Sequence, residues 1–157
     1  MRSLALLLTL AAACAAGVAD PVDPGETASG FAVAPEGELR DFERLANAHR
    51  AAIGCGALRW DGPTAAVAQA HADDMVRRDY FSHTNPDGES PFDRLREAGV
   101  SYQAAAENIA FGYPTATAVL QGWLASEGHR RNLENCRYTY HGVGLRDAKW
   151  VHVFIGR

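Results

Sequence analysis

Several signatures are missing from this 157-residue chain. It contains no Gly-x-Ser-x-Gly, no His-Glu-x-x-His and no phosphate-cradling glycine loop, so none of the usual signs of a nucleophile elbow, a zincin helix or a nucleotide fold is present. It has three cysteines, none of them in a Cys-x-x-Cys, the spacing typical of closed zinc and dithiol sites. Basic residues are the minority, 15 Lys and Arg against 19 Asp and Glu for a formal charge of −4. That balance argues against general affinity for nucleic acid or anionic lipid. No apolar stretch reaches the roughly 20 residues that cross a bilayer, so a transmembrane protein is not expected. There is no internal repeat.

What is present begins with Met1-Arg2 and an apolar run from Leu4 to Ala16, the charged start and short hydrophobic region of a secretory signal peptide. Cleavage after Ala19, with Gly17 and Ala19 as small flanking residues, makes residues 1–19 the signal; cleavage after Ala15 is the alternative. Lipid anchoring through Cys14 is a third reading, disfavoured because Ala11 stands where a lipobox wants a larger aliphatic residue. Residues 20–38, rich in Pro, Gly, Asp and Glu without periodicity, read as a disordered leader. Residues 39–157 then form one domain with no room for a second. Removal of Arg2 leaves a formal charge of about −5 on the mature chain. Export to an oxidising compartment makes a Cys55–Cys136 disulfide the natural reading, with buried free thiols or a metal pair as alternatives. A monomer, free in the extracellular or periplasmic space, is expected.

Apolar spacing predicts helices over about 38–53 and 63–79, a short helix over 91–98 opened by Ser90-Pro91-Phe92-Asp93, and another from Pro114 that ends near Gly128. The tail reads as a hairpin of 138–145 and 149–155, and a shorter strand is expected over 107–111. Helices first and strands last, with no βαβ unit, give the class α+β. His71 shares a helix face with Val67 and Met75 and reads as a hydrogen-bonded core histidine. Trp60, Phe81, Trp123, Trp150 and Phe154 read as packing groups, with one or two of them lining the cleft as the alternative, and Asn108 and Asn132 as locks on loop backbone. His49, His141 and His152 have no partner that spacing reveals.

Six segments in order carry a resemblance. They are Leu58-Arg59-Trp60-Asp61, His71-Ala72-Asp73-Asp74-Met75, Tyr80-Phe81-Ser82-His83, Ala106-Glu107-Asn108-Ile109-Ala110, the run Gly122 to Leu133, and Gly142-Val143-Gly144. Together they resemble the bacterial branch of the CAP superfamily of cysteine-rich secretory, venom-antigen and pathogenesis-related proteins. The resemblance implies a three-layer α-β-α sandwich and a cleft tetrad, of which His83, Glu107 and His129 match three positions. At the fourth, animal and plant members carry a glutamate where this chain has Ser126. Glu127 is one residue out of register, about 100° round a helix.

His83 falls in a loop after a helix, Glu107 at a strand start and His129 just past a helix end. Two imidazoles and a carboxylate with a fourth position open suit zinc, or another divalent cation, in an exchangeable site. The same trio suits metal-free general-base chemistry on water or a hydroxyl such as Ser126 or Ser82, and equally a structural network that fixes the fold. A secreted binding module for a small apolar ligand or a cell-envelope component is the expectation, with a hydrolase and an extracellular scaffold as alternatives.

Overall fold

A computed structural model describes residues 35–157. The signal peptide, Cys14 and residues 20–34 of the expected leader lie outside the described residues. Helix α1 spans Pro35–Ala52, so its first turn takes in the last residues of the segment read as leader. The reason is Glu38: its side chain is buried and accepts the backbone N–H of Ala116 at 2.6 Å, which fixes this turn to the body of the domain.

The remaining elements are β1 (Arg59–Trp60), α2 (Gly62–Arg77), α3 (Pro91–Glu97), β2 (Ala104–Phe111), α4 (Ala116–Ala125), α5 (Glu127–Leu133), β3 (Tyr140–Arg146) and β4 (Lys149–Gly156). Local chemistry sets most of their ends. Asp61 caps α2 by accepting from the Thr64 N–H, and Ser90 and Asp93 form a reciprocal capping box at α3, each such cap worth about 1 kcal/mol. Asp147 and Ala148, both at positive φ, make the two-residue turn between β3 and β4, the geometry that suits a twisted hairpin.

The sheet has the order β1-β3-β4-β2, antiparallel except for the short β1–β3 pairing. On one face α1 and α4 bury Phe42, Ala46, Val119 and Trp123 against Val143, Trp150 and Phe154. On the other α2 and α3 bury Ala68, Ala72, Met75 and Leu95 against Ile109, Val151, Val153 and Ile155. This is the α-β-α sandwich that the resemblance implied. Gly142 and Gly144 let α2 lie close on the sheet: a Cβ at either would collide with backbone of Ala65, or of Ala68 and Gln69.

Two expectations need correction. The helix expected to run from Pro114 to Gly128 begins at Ala116, capped by Thr115, and stops at Ala125, where Ser126 turns to extended backbone (ψ 119°) and a second helix starts at once. Gly128 therefore lies inside α5. Trp60 and Phe81, expected to pack, are 41 % and 47 % exposed.

The Cys55–Cys136 disulfide is formed, with a Cα–Cα distance of 5.1 Å across a sequence separation of 81. A loop of that length corresponds to roughly 4 kcal/mol in the chain-entropy model. Beside it the fully buried Arg50 donates to the carbonyls of Gly56, Leu133, Asn135 and Tyr138. Helix α1 thus holds the connection from α5 to β3 through three of the four hydrogen bonds that this one planar group donates, those to Leu133, Asn135 and Tyr138.

Candidate functional site

Strand β2 is an edge of the sheet, and its alternation sends Glu107 and Asn108 to opposite faces. Glu107 faces the α2–α3 layer, where its side chain is only 1 % exposed. One carboxylate oxygen accepts from Nδ1 of His83 at 2.8 Å and the other from Nη2 of Arg94 at 2.9 Å. Because a carboxylate only accepts, Nδ1 of His83 carries the proton and, in the neutral ring, Nε2 keeps its lone pair. The His83 side chain is 48 % exposed, so that nitrogen belongs to a ring open to solvent.

Arg94 is the residue that organises this side. It also donates to the carbonyls of His83 and Glu89 at 3.0 Å, and so holds the loop that carries His83 as well as the carboxylate that orients it. Sequence reasoning missed it. The available signal was its place beside Leu95 on the buried stripe Pro91, Leu95 of a two-turn helix, where a cation needs a partner.

On the other face Asn108, fully buried, donates to the carbonyl of His129 at 3.0 Å and accepts from Asn132 Nδ2 at 2.8 Å. Asn108 therefore locks backbone, that of a helix and not of a loop, whereas Asn132, expected to do the same, bonds the Asn108 side chain instead. His129 stands in α5 and not beyond a helix end, with its ring 6.4 Å from that of Trp123. Burial, and next the neighbouring His83, lower its pKa. Ser126 is the hinge between α4 and α5, and its side chain makes no capping hydrogen bond. The structure thus brings His83 and Glu107 into direct contact and sets His129 across the β2 edge from them.

Among the described residues no group of three His, Cys, Asp or Glu side chains is placed to hold a metal ion. The physical reason lies in Glu107, the expected third ligand, whose two oxygens are engaged by His83 and Arg94. A three-ligand zinc site does not fit this arrangement. What remains for a cation is the pair of imidazoles, with Glu107 behind His83 as the outer carboxylate that sets its tautomer.

Two other features frame the site. His71 is buried and donates from Nε2 to the Ser82 carbonyl at 2.9 Å, one residue before His83; burial lowers its pKa. Beyond Arg94 a cavity of about 610 Å³ between α2 and α3 is lined by His71, Asp74, Arg78, Asn85, Glu89 and Arg94. The unassigned histidines also find partners. His49 meets Glu134 at 3.0 Å, and His141 Nδ1 and His152 Nε2 lie 3.0 Å apart within the α1–β3–β4 core.

The family model of the cysteine-rich secretory protein (CAP) family matches residues 43–151. The chain belongs to the CAP family. Among curated bacterial relatives, an uncharacterised membrane protein of Bacillus subtilis, YlbC, is 45 % identical over 113 residues, covering 72 % of this chain and 33 % of that protein. A second, YkwD of the same organism, is 40 % identical over 115 residues, covering 72 % and 45 %. The CAP chain thus spans less than half the length of these relatives. The solved structure of an extracellular protein containing an SCP domain from Bacillus anthracis superposes with a TM-score of 0.76 at 41 % identity, over 78 % of this chain and 41 % of that one. An outer surface protein from Borrelia burgdorferi has a TM-score of 0.73 at 21 % identity, over 80 % and 96 %, and speaks for the fold alone.

Proposed function

We propose that this CAP domain is an exported binding module whose ligand is taken at the β2 edge, between His83 on one side and His129 on the other. The observation that carries this is the pairing at Glu107. A carboxylate held by both His83 and Arg94 is an orienting group, which fixes one imidazole with its acceptor nitrogen outward. No activated hydroxyl accompanies it: Ser82 Oγ accepts from the Thr84 N–H at 3.2 Å, and Ser126 serves as a helix junction. Recognition therefore has more support than covalent catalysis. Export is supported by the apolar start of the sequence and by the extracellular setting of the B. anthracis relative. No described helix is long and apolar enough to cross a membrane. A divalent cation held by His83 and His129 would supply Lewis-acid polarisation of a bound oxygen.

The ligand sought is a cell-envelope component. Muropeptides, lipid vesicles and blocked peptides are the probes, measured against the native protein and the His83→Ala, His129→Ala variant. Binding lost in the variant at unchanged melting temperature supports the cleft. Binding that the variant retains, or none to any probe, overturns it. Equilibrium dialysis with zinc, run on the same pair, tests the cation separately.

A further inference from the structure

We infer that the outer edge of β2 receives an extended peptide as an added strand. This rests on the binding-cleft reading above and names its ligand class.

The backbone sets the case. β2 pairs with β4 on one side only. In an antiparallel ladder successive residues turn their N–H and C=O alternately toward and away from the partner. The phase is fixed at two points: Gly112 donates to the Ala148 carbonyl, on the β4 side, while the Ile109 carbonyl accepts from Trp123 Nε1 at 3.3 Å, away from it. With the register Glu107↔Val153 and Asn108↔His152, the even residues are bonded to β4 and the odd residues Ala105, Glu107 and Ile109 face outward. Among the described residues no hydrogen bond engages the outward N–H and C=O of Ala105 and Glu107 or the N–H of Ile109. Backbone groups of this kind need partners, and an incoming strand at about 4.8 Å supplies them in the right alternation.

The surroundings select a strand. Ala104, Ala105 and Ala106 bring no bulky side chain to this edge, and no Lys or Pro of β2 guards it in the way that free edges are commonly blunted. In antiparallel addition the peptide residue opposite Glu107 turns its side chain to the α2–α3 side, beside His83, and its neighbours turn toward His129. A residue opposite Ile109 falls diagonally beside Phe111, which is 58 % exposed and lies 6.1 Å from the ring of the exposed Phe81. An apolar side chain fits there. At Ile109 the Trp123 indole already holds the carbonyl, so the added strand pairs chiefly with Ala105 and Glu107.

The test is selection of a library of end-blocked heptapeptides on the intact protein, followed by an N-methyl scan of the enriched sequence. Methylation at alternate residues, those bonded to β2, should weaken binding about tenfold or more, the scale of one lost hydrogen bond. Methylation at the intervening residues should change it little. Amide exchange at Glu107 and Ile109 should slow in the complex while Asn108 and Ala110, already bonded to β4, stay unchanged. The enriched sequence should carry an apolar residue two positions from the one opposite Glu107, a preference that Phe111→Ala removes. No enrichment, or binding indifferent to the parity of methylation, overturns strand addition. If muropeptides or vesicles still bind in a manner lost with His83→Ala, His129→Ala, the cleft stands and only the peptide is wrong.

Discussion

Arg94 and Glu107 form an ion pair at 2.9 Å whose side chains are 10 % and 1 % exposed, and the same carboxylate turns His83 outward. The pair therefore joins stability to the site. Breaking one partner of a buried pair typically costs about 3–5 kcal/mol because the other charge is stranded. Glu107→Ala should lose stability on that scale in urea denaturation, whereas His83→Ala, at a half-exposed ring, should lose less than about 1 kcal/mol. Equal losses for the two would mean that His83 is a structural member of the network.

Acid should weaken the core through the histidine pair. Burial, and next Arg50, press the pKa of His141 down to about 4, and burial places that of His152 well below its ordinary value. The groups that face the pair are Glu43 and Arg50 of α1, with Glu43 3.7 Å from His141 Nε2. A depressed pKa means that the unfolded chain binds protons the folded chain refuses, so the associated stability is complete above pH about 6.5 and falls as pH drops toward 4. For His141 alone this is on the order of 3 kcal/mol. Denaturation midpoints followed across that window should fall, and His152→Phe should flatten the curve.

Removing the Cys55–Cys136 bond by Cys55→Ser, Cys136→Ser should cost roughly 4 kcal/mol without unfolding the segment from Leu133 to Tyr138, since Arg50 still holds its carbonyls. Maleimide labelling of the unfolded, unreduced native protein should find neither thiol free.

Gly142→Ala should be among the most damaging single methyl additions to this domain, since α2 must shift off the sheet to admit it. Overpacking of this kind costs about 1–3 kcal/mol or more. A melting temperature within a degree of the native value would show that α2 has slack.

Much of this architecture is legible in sequence because it is local. Periodicity places α2 and the β3–β4 hairpin, and Ser90 to Asp93 announces α3. The junction at Ser126 is not legible: the one helix-opposing residue nearby, Gly128, lies two positions later and inside α5, and the break at Ser126 goes with tertiary contacts, among them the hold of Asn108 on the His129 carbonyl. Arg50 and Arg94 were equally hidden, since a buried guanidinium depends on carbonyls and carboxylates distant in sequence. The spacing Phe42, Ala46, Arg50 put a cation on an apolar stripe, which in hindsight marks it as a bonded core group. The same holds for His141 and His152, which meet only across the completed hairpin. Glu107 was expected as a ligand because its chemical type permits that; Arg94, which takes its second oxygen, changes the role.

The site's members come from separate pieces of chain: His83 from the loop after α2, Arg94 from α3, Glu107 from β2 and His129 from α5. No single excised fragment contains them all in a self-supporting unit, since the α3 and α5 contributions are seven-residue helices too short to persist alone. Grafting the site onto another scaffold would therefore require the sheet edge and both of its flanks together, and proteolytic nicking of either flank should silence it while leaving most of the molecule folded.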